Sequence, residues 1–281
     1  MKNPLYLLAS EYGLIDSTFP VAQFAQKRMA ERYPLSNEKP DIEAAEPKVV
    51  SQPDLLSKFM QARIDRSEFM NDTHVLTLAV SMAFAGSETT AISLSAVFYY
   101  LLKSPACLEK LLKELDDNSR AGFFSNYTSG LVTWSESQKL LYLDACIKEA
   151  FRLHPAAGLP LERIVPPAGA EIAGHHIPGG TIVGCSAWLI HRRPEIFGEH
   201  VNEYKPERWL VDEMKDEESE KARIKEMNGC MFQFGAGSRT CIGKNISLLE
   251  IYKLVPSVLR SFEVSNGFYR YYPGEYGERS D

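Results

Sequence analysis

Ten residues in the last fifth of the chain, Phe234-x-x-Gly237-x-Arg239-x-Cys241-x-Gly243, hold its most chemistry-bearing pattern. Glycines at 235, 237 and 243 let the backbone approach a large flat partner closely. Cys241 stands just before an expected helix, where unpaired amides and the helix dipole favour an anion. The thiolate is the form of cysteine that ligates metal. Arg239, two residues earlier, suits pairing with a carboxylate on that partner. A thiolate in a glycine loop beside an arginine fits ligation of haem iron. Two plainer readings stand beside this one. A lone cysteine is often a small buried hydrophobe, and a glycine turn before a helix also binds phosphate. The dinucleotide fingerprint fails at Thr240, where its third glycine belongs, and the P-loop fails for want of its Lys-Ser/Thr ending.

Helices and strands must position these residues. The plan is mainly α with a small antiparallel β-sheet inserted. Apolar spacing predicts a long central helix over 67–102, ended by Ser104-Pro105, whose middle is apolar on nearly every face. Glu88 and Thr89 fall in that middle, where a carboxylate and a hydroxyl need a specific reason to exist; the plainer reading is a polar kink. A second helix runs from Pro105 to about Asn118, with Leu108, Leu111, Leu112 and Leu115 on one face. A third covers 135–154 and ends at His154-Pro155. Glu149 and Arg152 sit on it three residues apart, so they can pair; such a pair is ordinarily surface decoration. Residues 160–192 are β-rich, with short runs near Arg163, Glu171 and Thr181 between turn residues. His175-His176 lacks further ligands at metal spacing and is rejected as a metal site. His191-Arg192-Arg193-Pro194 has two readings, a place near the same region as Arg163 or, the plainer one, solvent-exposed charge. Asp212–Glu226 is a solvated helix or loop. The glycine loop and a final helix occupy 232–262, and the Tyr/Gly-rich tail 263–281 shows no strand pattern. Residues 1–66 comprise helices and a Pro-punctuated loop leading to the central helix.

Composition bounds the rest. The 281 residues are 44% hydrophobic and 24% charged, with net charge −6, as in a soluble globular protein. That balance argues against broad nucleic-acid binding. Five cysteines without a C-x-x-C pair suit a reduced compartment. Leu5–Ala9 is too short for a signal core, and Glu88 would be costly in hydrocarbon. No membrane span is expected, and Val75–Phe84 should be a buried helix segment.

The ten-residue pattern resembles the haem-binding loop of the cytochromes P-450, the haem-thiolate monooxygenases. Three more family features occur in the right order. Ala85-Gly86-Ser87-Glu88-Thr89-Thr90 is similar to the oxygen-activation motif, Glu149-x-x-Arg152 to the family's E-x-x-R, and Pro206-Glu207-Arg208-Trp209 to its P-E-R-F element, with Trp for Phe. The stretch His154–Trp209 also resembles fungal detoxifying demethylases of the pisatin-demethylase kind. The resemblance implies a single haem-thiolate domain containing the C-terminal portion of the P-450 fold, its N-terminal portion missing. It implies haem b (iron protoporphyrin IX) with Cys241 as iron ligand, and Arg239, Phe234, Gly237, Gly243, Arg163, Ala85 and Gly86 against the cofactor. Thr89 and Glu88 would serve dioxygen chemistry as hydroxyl and proton gate. Glu149, Arg152 and Arg208 would be buried and hold the Cys loop. Oxygen as co-substrate, a small apolar organic substrate and a separate NADPH-dependent reductase complete the expectation. Full-length relatives would sit at the endoplasmic reticulum membrane. Two other readings remain: a remnant that binds haem weakly or not at all, and a soluble haem-binding or sensor module.

Overall fold

A computed structural model describes residues 20–32, 54–125, 130–264 and 269–271. The expected loop through 34–53 and most of the 263–281 tail lie outside the described residues. The chain divides into two compact units, Met1–Glu88 and Thr89–Asp281.

The first unit contains α1 (Pro20–Arg32), α2 (Leu55–Asp65) and the first half of α3 (Asp72–Lys103). Asp54 caps α2 by accepting the Ser57 amide at 2.9 Å. Met29, Met60, Met70 and Val75 form its core, with Leu56, Phe59 and Leu76 packed around them. The long helix starts five residues later than expected. The Asn71 side chain accepts the His74 amide at 3.0 Å and so marks its first turn, while the preceding residues form a turn.

The second unit begins at Thr89, the midpoint of α3, and carries the Cys241 loop and the elements packed behind it. Pro105 opens α4 (Pro105–Arg120), whose Leu111 and Leu115 are fully buried. The expected helix over 135–154 is two helices, α5 (Trp134–Ser137) and α6 (Leu141–Leu153), separated by a turn at 138–140. Thr133 and Glu136 form a reciprocal capping box that makes α5 a closed single turn. Three two-stranded antiparallel sheets occur among the described residues, where one small sheet was expected. They are β1 (Pro160–Ile164) with β4 (Ile182–Ser186), β2 (Ala170–Ile172) with β3 (His175–Ile177), and β5 (Phe262–Val264) with β6 (Tyr269–Tyr271). The last pair places two antiparallel strands in the segment where the sequence showed no strand pattern; three-residue strands are too short to display alternation. Short helices α7 (Ala187–Ile190) and α8 (Pro194–Phe197), a 3₁₀ turn at Pro206–Trp209, α9 (Glu217–Gly229) and α10 (Lys244–Ser261) complete the chain.

The main core joins Val97 and Leu101 of α3 to Leu111 and Leu115 of α4, Leu143, Ile147 and Phe151 of α6, and Ile251, Val255 and Leu259 of α10. A second cluster gathers Ala145, Phe197, Trp209 and Met227. Long helices with one apolar face pack here by burying that face against each other.

The middle of α3 departs from expectation. Val75 is buried, but Leu78 and Phe84 are exposed, and so are Ala85 through Thr89. The helix is long and apolar enough, by length and composition, to cross a membrane. Its centre nevertheless carries Ser87, Glu88, Thr89, Thr90 and Ser93, which hydrocarbon would penalise.

Candidate functional site: the Cys241 loop

The loop from Phe232 to Gly243 is closed by its own backbone. The Gly235 amide donates to the Phe232 carbonyl at 3.0 Å, and the Cys241 amide donates to the Phe234 carbonyl at 2.8 Å. Gly235 and Gly237 adopt φ of 68° and 67°, a left-handed conformation that side chains resist. A Cβ at Gly237 would meet nothing within 4 Å, so backbone conformation, and open space beside it, explain glycine there. The loop then runs into α10: the Lys244 amide donates to the Cys241 carbonyl at 3.3 Å, and the Ser247 amide to the Gly243 carbonyl at 3.0 Å. Cys241 thus lies three residues before the helix's first residue. Its side chain is exposed, and Ile242 beside it is 93% exposed.

Three contacts fix the loop from behind. Phe234 meets Phe151 of α6 edge to face, centroids 5.9 Å apart, and joins the rim of the main core. Lys244 Nζ lies 5.8 Å from the Phe234 ring centroid. The third contact comes from His191, whose Nε2 is 2.7 Å from the Phe232 amide nitrogen. The sequence reading had His191 as exposed charge; it is fully buried. Burial, reinforced by the positive Arg152 and Arg192, lowers its pKa to about 4.

Behind His191 stands a buried ionic cluster. Glu149 accepts from Arg152 Nε and Nη2 at 2.9 and 2.8 Å, from Arg208 Nε at 3.2 Å and from the Lys205 amide at 3.1 Å. Trp209 adds its indole N–H to the same carboxylate at 2.9 Å, a bond that phenylalanine in this position could not make. Arg152 spends its other N–H groups on the carbonyls of His191, Val201 and Glu203. Arg208 does the same with Phe197, Glu199 and His200, and burial lowers its pKa. The triad therefore anchors residues 191–209 directly, and through the His191 carbonyl it reaches the histidine that holds the Phe232 amide at the start of the Cys loop. A second knot, absent from the sequence reading, ties α4, α6 and the 3₁₀ turn. In it Glu207 Oε1 receives Lys110 Nζ at 2.6 Å and the Tyr142 hydroxyl at 2.8 Å.

The outer side of the loop is open. Leu161 of β1 lies 3.4 Å from the position a Cβ of Gly235 would take. Arg163, two residues along the strand, shares that face. Arg163 and Arg239 are both exposed, and Arg163 Nη1 donates to the Glu162 carbonyl at 2.7 Å. On α3, the Thr90 hydroxyl is 3.2 Å from that of Ser247, so α3 crosses the first turns of α10 at this point. Ser93 Oγ back-bonds to the Thr89 carbonyl at 2.9 Å. Thr89 precedes Thr90 on the same turn and is exposed, and Glu88 is exposed as well. That corrects the expectation that both are embedded among apolar side chains. Ala85 and Gly86 lie one turn earlier on α3, in the first unit, also exposed. A Cβ at Gly86 would meet nothing within 4 Å.

The residues present fit a haem. The donor set is the accessible Cys241 thiol at a helix entrance, with the exposed Arg239 guanidinium two residues earlier and open space beside Gly237. Arg163 of β1 is a second exposed guanidinium suited to carboxylates, and Cys185 of β4 is exposed as well. Among the described residues no group of three or more His, Cys, Asp or Glu side chains could enclose a bare metal ion. His176 Nδ1 instead lies 3.2 Å from Glu171 on an exposed hairpin.

Comparison with known proteins matches residues 18–267 to the cytochrome P-450 family profile. The cytochrome P-450 monooxygenase cicH of Emericella nidulans is 45% identical over 244 residues, 87% of this chain and 45% of the relative. A cytochrome P-450 monooxygenase of Aspergillus terreus is 42% identical over 248 residues, 88% of this chain and 47% of that protein. Pisatin demethylase of Fusarium vanettenii is 42% identical over 180 residues, 64% of this chain and 32% of its own length. The chain thus spans about half the length of the curated relatives it matches first.

Proposed function

The chain belongs to the cytochrome P-450 family, and we propose that it carries the iron-ligating and oxygen-handling part of a haem-thiolate monooxygenase. When bound, haem b with a thiolate ligand supplies the chemistry that activates dioxygen and inserts one oxygen atom into a small apolar organic substrate. The exposed Cys241 thiol at the entrance of α10 carries this reading. Cys241 ligates the iron, Arg239 and Arg163 pair with the propionates, and Phe234 backs the loop from its seat against Phe151. Gly237 and Gly243 leave room for the flat ring; Ala85 and Gly86 enter the proposal as cofactor contacts on the family motif alone. The Thr89 hydroxyl would hold and pass a proton where dioxygen is activated, and the Glu88 carboxylate, exposed one residue earlier, would supply it. Glu149, Arg152 and Arg208 build the scaffold and take no part in chemistry. Electrons come from a separate NADPH-dependent reductase.

One observation favours a second reading. Residues 236–242 are exposed on the loop itself, so a chain that retains haem weakly and confines substrate poorly is the alternative. Isotope incorporation separates the two. With haem, a fungal reductase, NADPH, oxygen-18 gas and a panel of small apolar aromatics, the proposal expects one labelled oxygen atom in product. Labelling should depend on reductase and vanish in Cys241→Ala. Consumption of NADPH with no labelled product contradicts it.

A further inference from the structure

His191 lies where the end of α6, the helix α8 and the start of the Cys241 loop converge. Its Nδ1 is 3.1 Å from the Arg152 carbonyl oxygen and its Nε2 is 2.7 Å from the Phe232 amide nitrogen. An amide can only donate, so Nε2 is the acceptor. The ring proton is then on Nδ1, donated to the carbonyl that ends the E-x-x-R helix. Arg192 satisfies the next carbonyl of that helix, Leu153, at 2.8 Å. The neutral imidazole is therefore a two-ended strut. One end is fixed to α6, whose Arg152 in turn donates to the His191 carbonyl at 2.9 Å. The other end holds the loop two residues before Phe234.

We propose that His191 is a positioning residue for the Cys241 loop, setting the loop's first amide, and through it the place of the thiol, against the E-x-x-R helix. The consequence for iron ligation rests on the function proposed above; the strut itself does not. A second ring proton would put a donor on Nε2 against the Phe232 N–H and break the bond. The charged groups facing the ring are the guanidiniums of Arg152 and Arg192, with Glu149 reaching it only through Arg152. Phe197 of α8 offers an apolar edge, centroids 6.1 Å apart. Every facing charge therefore opposes protonation while the loop is closed, and loop opening relieves that opposition.

Hydrogen exchange read by mass spectrometry tests this without haem. Relative to intrinsic rates, protection of the 231–241 peptide in the wild-type chain should fall about twentyfold from pH 7 to pH 5. That figure follows from a histidine held near 4 when buried and titrating near 6.5 when released. His191→Gln places an acceptor where Nε2 stood and should keep the protection at pH 7 while losing its pH dependence. His191→Asn reaches only the Nδ1 position and should lose protection. Equal protection in both variants, equal loss across the α10 core peptides, or a flat wild-type profile would overturn the proposal. In haem-loaded protein, the glutamine variant should keep the reduced carbon-monoxide Soret band and the asparagine variant should weaken it. A wild type that follows the exchange pattern yet gives no such band refutes the haem reading and leaves the strut standing.

Discussion

Glu149 shows how much one side chain can organise. Its carboxylate is fully buried and receives donors from Arg152, Arg208, Trp209 and the Lys205 backbone. Two guanidiniums share that one anion, and carbonyls of residues 191–203 take the remaining N–H groups. Replacing the carboxylate by an amide leaves two buried positive charges uncompensated, which costs roughly 3–5 kcal/mol. Glu149→Gln should lower the unfolding free energy in urea by that order, whereas a loss below ~1 kcal/mol would mark the pair as ordinary surface decoration. The E-x-x-R spacing was legible in the sequence because three residues is the pairing distance on a helix. The role of Trp209 was not: a tryptophan replacing phenylalanine looks like volume, and only the fold brings its N–H to Glu149. His191 was misread for a related reason. A His-Arg-Arg run looks solvated, but burial belongs to the partners that a residue meets in the fold. Glu88 and Thr89 erred in the opposite direction, expected among apolar neighbours and found exposed.

At the scale of elements, periodicity located the helices but not their breaks. The apolar spacing through 135–154 is continuous, yet the backbone stops at 138–140 and begins again at Leu141. The cause was in the sequence. Thr133-x-x-Glu136 is a capping-box signature, and it closes α5 as one turn. Glu136 also holds the Ser125 amide at 2.6 Å and the Ser125 hydroxyl at 2.8 Å. Burial alone would raise its pKa. The amides of Ser125 and Thr133, with the two hydroxyls, outweigh burial and bring it down to about 2 from 4.5. A depressed carboxyl pKa contributes stability that is complete above about 4.5 and is lost as pH falls toward 2. Thermal midpoints of wild type and Glu136→Gln should therefore converge as pH falls through that window. Curves that stay parallel would show that these hydrogen bonds do not set the titration. The short β-pairs were harder to read, since three residues in a strand supply too little alternation to distinguish from a loop.

For the whole molecule, the order of four motifs carried the family, and the match over residues 18–267 shows it. Fold class followed from that resemblance and from helical spacing; the split into two units did not, because it depends on contacts that no single segment encodes. The extent of burial along α3 was also beyond sequence. Its apolar character is plain, but Phe84 is 52% exposed among the described residues, since hydrophobicity says what a segment would bury and not what meets it. The site's central claim is narrower than the family name: Cys241, presented by a loop seated on Phe151 and His191, ligates haem iron as a thiolate. The most direct measurement is the reduced carbon-monoxide difference spectrum of the purified 281-residue chain supplied with haem, beside Cys241→Ala. The expected result is a red-shifted Soret band in the wild type that the substitution abolishes. A wild type without that band, or a Cys241→Ala protein that keeps it, would contradict the claim.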